Sequence, residues 1–197
     1  PTRQEIEASL KRPLKSGKEY DKLIPSATCE TTSLGKGDTF FTVDQIRNWI
    51  LKHYWQMAKV APKLVGSTLS GTIDNVHRFQ QDHIQYKLGG AVQYIHSPAC
   101  TWATRKDGVD CKSFSVLSSA ILSSLGIKHY IRQIKQPHFE PERFTHVYVV
   151  VPIDQTLQHY DKNAATLVLD GTKPQNIESS YTTFEDIPMM LEHIGLN

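Results

Sequence analysis

Residues 105–127, RKDGVDCKSFSVLSSAILSSLGI, contain the pattern that most constrains the fold. A glycine-containing turn at residues 108–110 leads into Cys111, and apolar side chains then recur at helical spacing until Gly126 ends the run. These apolar side chains are Phe114, Leu117, Ile121 and Leu125. The pattern predicts a buried helix with Cys111 in its first turn, where unpaired backbone N–H groups and the helix dipole favour a thiolate.

Small side chains occupy the other face of this predicted helix. Ser115, Ser118, Ser119 and Ala120 would let a sheet or a second helix approach closely. A thiolate held rigidly at a helix start has the arrangement of an activated nucleophile. A small buried cysteine that only packs in the core would fit the same residue type, so the choice depends on partner residues elsewhere in the chain.

Two downstream runs of β-branched and aromatic residues supply such partners. Residues 144–151 predict a strand with His146 near its start, and residues 166–169 predict a second strand that is followed by Asp170. If these strands pair antiparallel, the start of the first lies beside the end of the second. His146 and Asp170 are then neighbours, and we expect a hydrogen bond from the imidazole Nδ1–H to the carboxylate.

Other residues compete for these two roles. His138 lies in the proline-containing loop 135–143, which we expect to border the thiol and to contact substrate. A histidine on a strand is held better than one on a loop, which favours His146. Asp154 and Asp161 lie in a polar connection, where solvated carboxylates are expected, and this favours Asp170.

Three motifs in this order resemble the transglutaminase-like superfamily of papain-type thiol enzymes. They are Gly-Val-Asp-Cys opening a helix that ends in Leu-Gly-Ile, then Thr-His-Val-Tyr-Val, then Leu-Val-Leu-Asp-Gly-Thr. The resemblance spans roughly residues 70–175. It implies that Cys111 is the nucleophile, His146 the base and Asp170 the group that orients the base. The superfamily contains cross-linking transglutaminases, peptidases, deglycosylating amidases and inactive relatives, so the resemblance does not select one activity.

An acyl-transfer site also needs a second hydrogen-bond donor for the developing oxyanion, beside the backbone N–H of Cys111. Gln93 and Trp102 are the candidates within residues 86–104, which we otherwise expect to form an irregular approach to Cys111. A side-chain amide is the donor in papain-like sites, which favours Gln93, while related enzymes use an indole N–H. The alternative is structural: Gln93 would bond within its loop, and Trp102 would cover the core.

The predicted fold class is α+β, with a papain-like or transglutaminase-like core in which the cysteine-bearing helix packs on an antiparallel sheet. Residues 66–197 would form this catalytic domain, and residues 1–65 a helical, loop-rich N-terminal extension. Capping boxes predict that helices of the extension begin at Thr2 and Thr42, with a loop over residues 15–41 between them.

Further elements are expected on both sides of the central helix. A helix is predicted from Thr72 to about Ile84, and a strand over residues 127–134. The tail is predicted to pack against the sheet as a last helix, through the apolar residues Phe184, Ile187, Met189, Met190 and Leu191.

Composition excludes several classes of protein. A net charge of +2 and a charged fraction of 21%, without a basic stretch interleaved with aromatics, argue against a nucleic-acid partner. No apolar run is long enough to span a bilayer, and residues 1–5 lack a signal-peptide core. We therefore expect either a cytoplasmic protein or a chain whose leader preceded Pro1.

The chain has three cysteines, Cys29, Cys100 and Cys111, and no CxxC pair. This odd count predicts no disulfide framework and a reducing compartment, with a bridge between Cys29 and Cys100 as the alternative. A zinc site built from Cys100, Cys111 and a histidine would not have the usual ligand spacing. We expect no metal and no cofactor.

Three functions fit these observations. The first is a thiol hydrolase that cleaves a peptide or glutamine-like amide through a thioester. The second is a cross-linking enzyme that resolves the same thioester with a lysine amine, although the small size and the absence of added sandwich domains favour hydrolysis. The third is a non-catalytic assembly module with a relic triad, whose N-terminal extension would bind a protein partner.

Overall fold

The computed structural model describes residues 1–35 and 43–189, which form helices packed around two antiparallel sheets. The helices are α1 (Arg3–Ser9), α2 (Lys18–Asp21), α3 (Val43–His53), α4 (Leu69–His83), α5 (Pro98–Ala103) and α6 (Cys111–Ser124). The strands are β1 (Thr31–Gly35), β2 (Gln93–His96), β3 (His129–Lys135), β4 (His146–Pro152), β5 (Thr166–Leu169) and β6 (Thr183–Met189). Short 3-10 turns occupy Ser26–Thr28, Tyr54–Met57 and Ala61–Leu64.

Helix α6 begins and ends where the sequence predicts. The side chain of Asp110 caps its start by accepting hydrogen bonds from the backbone N–H groups of Lys112 and Ser113, at 3.1 and 3.5 Å. At its end Gly126 adopts a φ of 66°, and Ile127 N donates to Leu122 O at 3.0 Å. This is a Schellman C-cap, for which glycine is favoured because its left-handed backbone carries no Cβ penalty.

The larger sheet has the strand order β5-β4-β3-β6, and every neighbouring pair is antiparallel. All seven residues of β4 are buried, and Val149 and Val151 share a hydrophobic core with Leu117 of α6. The α+β class and the antiparallel pairing of β4 with β5 are therefore confirmed. Because Val149 pairs with Leu169, the residue after β5 lies beside the first half of β4.

The smaller sheet was not predicted. Residues 15–41, expected to be a loop, contain α2 and β1, and residues 86–104, expected to be irregular, contain β2 and α5. Strand β1 has no buried residue, and Ile95 is the one buried residue of β2. Because the two strands bury so few residues, neither segment carries the apolar alternation that predicts a strand. The backbone partners of each strand come from the other strand.

The prediction of a helical tail is wrong for the described residues. Residues 183–189 form β6, an edge strand that pairs with β3 from His129↔Met189 to Lys135↔Thr183. Pro188 disfavours a helix and is tolerated on an edge strand. Met190 and Leu191 lie outside the described residues.

The helices of the N-terminal half partly follow the prediction. The capping box of Thr2 and Glu5 is confirmed, although α1 ends at Ser9. The expected cap at Thr42 lies outside the described residues. Helix α4 begins earlier than expected, because the side chain of Thr68 accepts a hydrogen bond from Gly71 N.

The prediction that the chain lacks a disulfide is wrong, since Cys29 and Cys100 are bonded across a sequence separation of 71 residues. Gln56 links the same two segments. Its amide donates to Thr28 O at 3.0 Å and accepts from Ala99 N at 2.9 Å. The two cysteines meet because the 3-10 turn at Ser26–Thr28 packs against α5, a contact that cysteine spacing does not reveal.

Residues on both sides of the predicted boundary at residue 65 pack in one hydrophobic core. Ile24 and Met57 share this core with Ile73 and Leu117. The division into an extension and a catalytic domain stays a prediction.

Candidate active site

Cys111 is the first residue of α6 and has a free, partly exposed thiol. It lies on the wall of a cavity of about 630 Å³. The cavity is lined by Tyr86 and residues 88–91, and also by residues 139–140 and 143–145. Phe139, on the loop predicted to border the thiol, is 61% exposed. Cys111 is therefore accessible from a cavity that two loop segments help to line.

His146 and Asp170 are both buried and contact each other directly. His146 Nε2 lies 2.7 Å from Asp170 Oδ2. The other carboxylate oxygen, Oδ1, accepts hydrogen bonds from the Thr172 hydroxyl at 2.6 Å and from the Thr172 backbone N–H at 3.1 Å. Burial alone would raise the pKa of Asp170, but the charge of His146 and these hydrogen bonds hold it below its usual value. The carboxylate is therefore ionised and held in one orientation.

The side chain of Cys111 also interacts with the imidazole of His146 and favours its charged form. Burial opposes a charged ring, but the charge and hydrogen bond of Asp170, followed by those of Cys111, raise the pKa of His146 to about 10. The three predicted residues thus form a continuous chain of contacts, from the thiol at the start of α6 through β4 to the turn after β5.

The predicted nitrogen assignment is wrong, since Nε2 rather than Nδ1 contacts the carboxylate. The register explains the difference. Val149 pairs with Leu169, which places Asp170 opposite Tyr148 and two residues away from His146. The imidazole therefore reaches diagonally to the carboxylate with its distal nitrogen.

The competing residues lie elsewhere. His138, Asp154 and Asp161 are all exposed. Asp154 accepts from Thr156 N at 2.9 Å and Asp161 from Asn163 N at 2.8 Å, so both stabilise surface turns.

The two predicted oxyanion donors differ in position. Gln93 lines the same cavity as Cys111, and its amide donates to Gly90 O at 3.0 Å. Trp102 is buried instead, stacks on Phe79 with ring centroids 5.5 Å apart, and donates its indole N–H to Asp21 at 2.9 Å. The structure does not bring Trp102 to the cavity, because α5 turns the indole toward α2 and α4.

Tyr86 is a site residue that the sequence did not reveal. It lines the cavity, interacts electrostatically with Cys111, and its hydroxyl makes no hydrogen bond within the described residues. Burial, and then the charge of Cys111, raise the pKa of Tyr86, so the phenol keeps its proton. A bridge between Tyr86 and Val109 places it beside the turn before Cys111, and a lone tyrosine carries no signal for such a pairing.

Lys112 adds a buried positive charge next to the thiol. Its ammonium forms an ion pair with Asp110, and both side chains line the cavity. Burial would lower the pKa of Lys112, but the charges of Cys111 and Asp110 raise it overall. Lys112 is therefore protonated and lies beside Cys111 in the cavity wall.

Among the described residues, no cluster of three or more His, Cys, Asp or Glu side chains is arranged to hold a metal ion. Within residues 1–35 and 43–189, no helix has the length and apolar character needed to cross a membrane.

The fold and the site define an α+β protein in which a helix-start cysteine, a strand histidine and a buried carboxylate meet beside an open cavity. A family model described as a transglutaminase-like domain matches residues 55–185, and the chain belongs to this family. The resemblance inferred from the three motifs is thereby confirmed. No curated protein and no solved structure matches the chain significantly.

Proposed function

We propose that this protein is a cysteine-dependent acyl-transfer enzyme, and that it hydrolyses amide bonds in peptides or proteins. The observation that carries the proposal is the unbroken chain of contacts from Cys111 through His146 to Asp170, with the thiol on the wall of a cavity. A thiolate paired with an imidazolium, itself oriented by a carboxylate, is the arrangement that nucleophilic acyl transfer requires.

The reaction has two stages. The Cys111 thiolate attacks the substrate carbonyl, the C=O electron pair moves to oxygen, and the tetrahedral intermediate collapses as the amine leaves with a proton from His146. The resulting thioester is attacked by a water molecule, which gives a proton to the neutral His146. Collapse then releases the carboxylic acid and returns the thiolate and imidazolium. One amide and one water yield one acid and one amine.

The oxyanion would be held at the start of α6. The Cys111 backbone N–H makes no intrahelical bond because it belongs to the first turn, and the Asp110 cap accepts from Lys112 and Ser113 instead. Gln93 and Tyr86 both line the cavity, and either side chain supplies a second donor. Loss of one such donor lowers kcat by about 10²- to 10³-fold in comparable sites.

Access to the thiol favours hydrolysis over cross-linking. Cys111 is partly exposed, and its cavity of about 630 Å³ is large enough to hold water beside a bound acyl group. A cross-linking enzyme would have to exclude that water while it admitted an amine.

The cavity walls suit a polypeptide substrate. Apolar contact is offered by Phe139, and the paired side chains of Glu140 and Arg143 lie beside it at 3.1 Å from each other. The glycines at positions 89 and 90 also line the cavity and add no side chains to it. Such a cavity fits an extended chain.

The test is incubation with a library of glutamine-containing peptides in H₂¹⁸O, with and without cadaverine, followed by mass spectrometry. We expect ¹⁸O-labelled acid products from cleaved peptide bonds or deamidated glutamine, and none from Cys111→Ser. Cadaverine adducts in excess of acid would assign cross-linking instead. Absence of both products, or equal yields from Cys111→Ser, would support the assembly-module reading and end the enzyme proposal.

A further inference from the structure

Arg12 lies outside the family match but reaches the turn that carries Asp170. Its Nη2 donates to the carbonyl oxygens of Gly171 and Thr172, each at 2.8 Å. Its Nη1 donates to Ile84 O at 3.2 Å, directly after α4. One guanidinium therefore joins the end of α4 to the two residues that follow Asp170.

The environment of Arg12 is unusual for a charged side chain. Its guanidinium lies 5.4 Å from the ring centroid of Phe114, in α6. Burial lowers the pKa of Arg12 to about 10, and the negative charge of Asp170 opposes this effect. Since a partly buried cation loses some of its hydration, the carbonyl oxygens and the nearby carboxylate compensate for that loss.

The backbone of Arg12 is fixed as well. Gln85 Oε1 accepts from Arg12 N at 3.0 Å, and Gln85 Nε2 donates to Leu10 O at 3.0 Å. Gln81 supports the same turn from α4, because its amide donates to Gly171 O at 2.7 Å. The turn after β5 is thus held by the N-terminal segment and by α4 together.

We propose that Arg12 is a positioning residue for Asp170, holding residues 170–172 so that the carboxylate stays within hydrogen-bond distance of His146. Asp170 Oδ1 is bonded to Thr172, so a shift of the Thr172 backbone would carry the carboxylate with it. The inference rests on the proposed function and adds a residue of the N-terminal segment to the site.

Arg105 offers a matched control. It also donates to backbone carbonyl oxygens, of Trp102 at 2.8 Å and of Ser16 at 3.2 Å. It also lies over an aromatic ring, 4.2 Å from the centroid of Trp102. Arg105 holds the same N-terminal segment by similar hydrogen bonds and by an ion pair with Asp21 at 3.5 Å, but its hydrogen bonds do not reach residues 170–172.

The experiment is an NMR pH titration of the His146 ring in ¹³C,¹⁵N-labelled protein, assigned with His146→Asn. We expect Arg12→Met to lower the midpoint of His146 by about one pH unit or more, because a displaced carboxylate stabilises the imidazolium less. Arg12→Lys keeps the charge but cannot donate to both carbonyl oxygens in the same geometry. Its His146 midpoint should therefore lie between those of Arg12→Met and the unaltered chain. Arg105→Met should leave the midpoint where it is in the unaltered chain. Equal midpoints in Arg12→Met and Arg105→Met would overturn the proposal.

Gln81→Met keeps the test decisive if Arg12→Met does not fold. This variant removes the other donor to Gly171 O, and a smaller shift in the same direction is expected. An unchanged midpoint in Gln81→Met and in Arg12→Lys would count against the proposal. Failure of the proposed function would look different, because no products would form in the H₂¹⁸O assay while Arg12→Met still lowered the His146 midpoint.

Discussion

Two buried histidines border α6, His146 near its start and His129 beside its C-terminal half, and their protonation is shifted in opposite directions. His146 contacts the Asp170 carboxylate at 2.7 Å and interacts with Cys111, and its pKa is raised to about 10. His129 contacts the Ser119 hydroxyl at 2.6 Å and Ile127 O at 2.8 Å, and burial lowers its pKa to about 4.

The partners explain the difference, because both rings are buried. A carbonyl oxygen only accepts, so Nδ1–H of His129 donates to Ile127 and Nε2 accepts from the Ser119 hydroxyl. A neutral ring satisfies both bonds. His146 instead faces a carboxylate on one side and a thiol on the other, and these partners favour a charged ring. Burial alone therefore keeps a histidine neutral, whereas a paired carboxylate keeps an equally buried histidine charged.

Asp170→Asn should have the largest effect, because it removes the charge that distinguishes His146 from His129. We expect kcat/KM for peptide hydrolysis to fall by about 10³-fold or more, and the His146 midpoint to fall by about two pH units or more. Steady-state kinetics and the NMR titration measure the two effects. Thr172→Val, which removes one hydrogen bond to Asp170, is the graded control and should cost about tenfold. A variant Asp170→Asn that kept a tenth of the activity would remove Asp170 from the mechanism.

A smaller effect is expected from the pH dependence of stability at His129. Its pKa is lowered from 6.5 in the unfolded chain to about 4 in the folded one. Between these values the unfolded chain binds more protons, so this contribution to stability is present above pH 6.5 and is lost as pH falls toward 4. A shift of this size corresponds to about 3 kcal/mol of the free energy of unfolding. Urea unfolding of His129→Gln and of the unaltered chain at pH 7, 5 and 4 measures this contribution. If the free energy of unfolding fell equally with pH in both proteins, His129 would not be its source.

The smallest effect is expected from Ser119→Ala, which leaves the Nε2 acceptor of His129 buried without a donor. We expect a loss of about 1–2 kcal/mol in the free energy of unfolding, with peptide hydrolysis unchanged. Ser123→Ala in the same helix is the matched control, because the Ser123 hydroxyl is buried with no hydrogen-bond partner among the described residues. If both variants lost equal stability in urea unfolding, the hydrogen bond to His129 would not be the cause.

The sequence predicted the parts of the site that depend on local pattern. Cys111 could be placed because Asp110 and Gly126 mark both ends of α6. His146 and Asp170 could be paired because the sequence predicts two strands. If these strands are antiparallel neighbours, the start of the first lies beside the end of the second. These inferences need only periodicity, capping and strand pairing.

The remaining parts depend on contacts between distant segments. Arg12 meets Gly171 across 159 residues, and Cys29 meets Cys100 across 71. Tyr86 reaches the cavity through a bridge to Val109 that follows no repeat. The tail was misread because β6 gains its backbone partners from β3, while its own apolar residues fit a helix as well as a strand. Single residues in such contacts leave no periodic signal in the sequence.

The most direct test of the triad is the rate of Cys111 alkylation by iodoacetamide between pH 5 and 9, in the native chain and in His146→Ala, with the modified sites located by mass spectrometry. The disulfide of Cys29 and Cys100 leaves Cys111 as the one free thiol of the chain. We expect a rate that is already high near pH 6 and that falls at least about tenfold in His146→Ala, because the thiolate loses its imidazolium partner. Two results together would contradict a thiolate–imidazolium pair. The alkylation rate would rise only as the pH approaches the pKa of an ordinary thiol, about 8.5, and it would be equal in the two proteins.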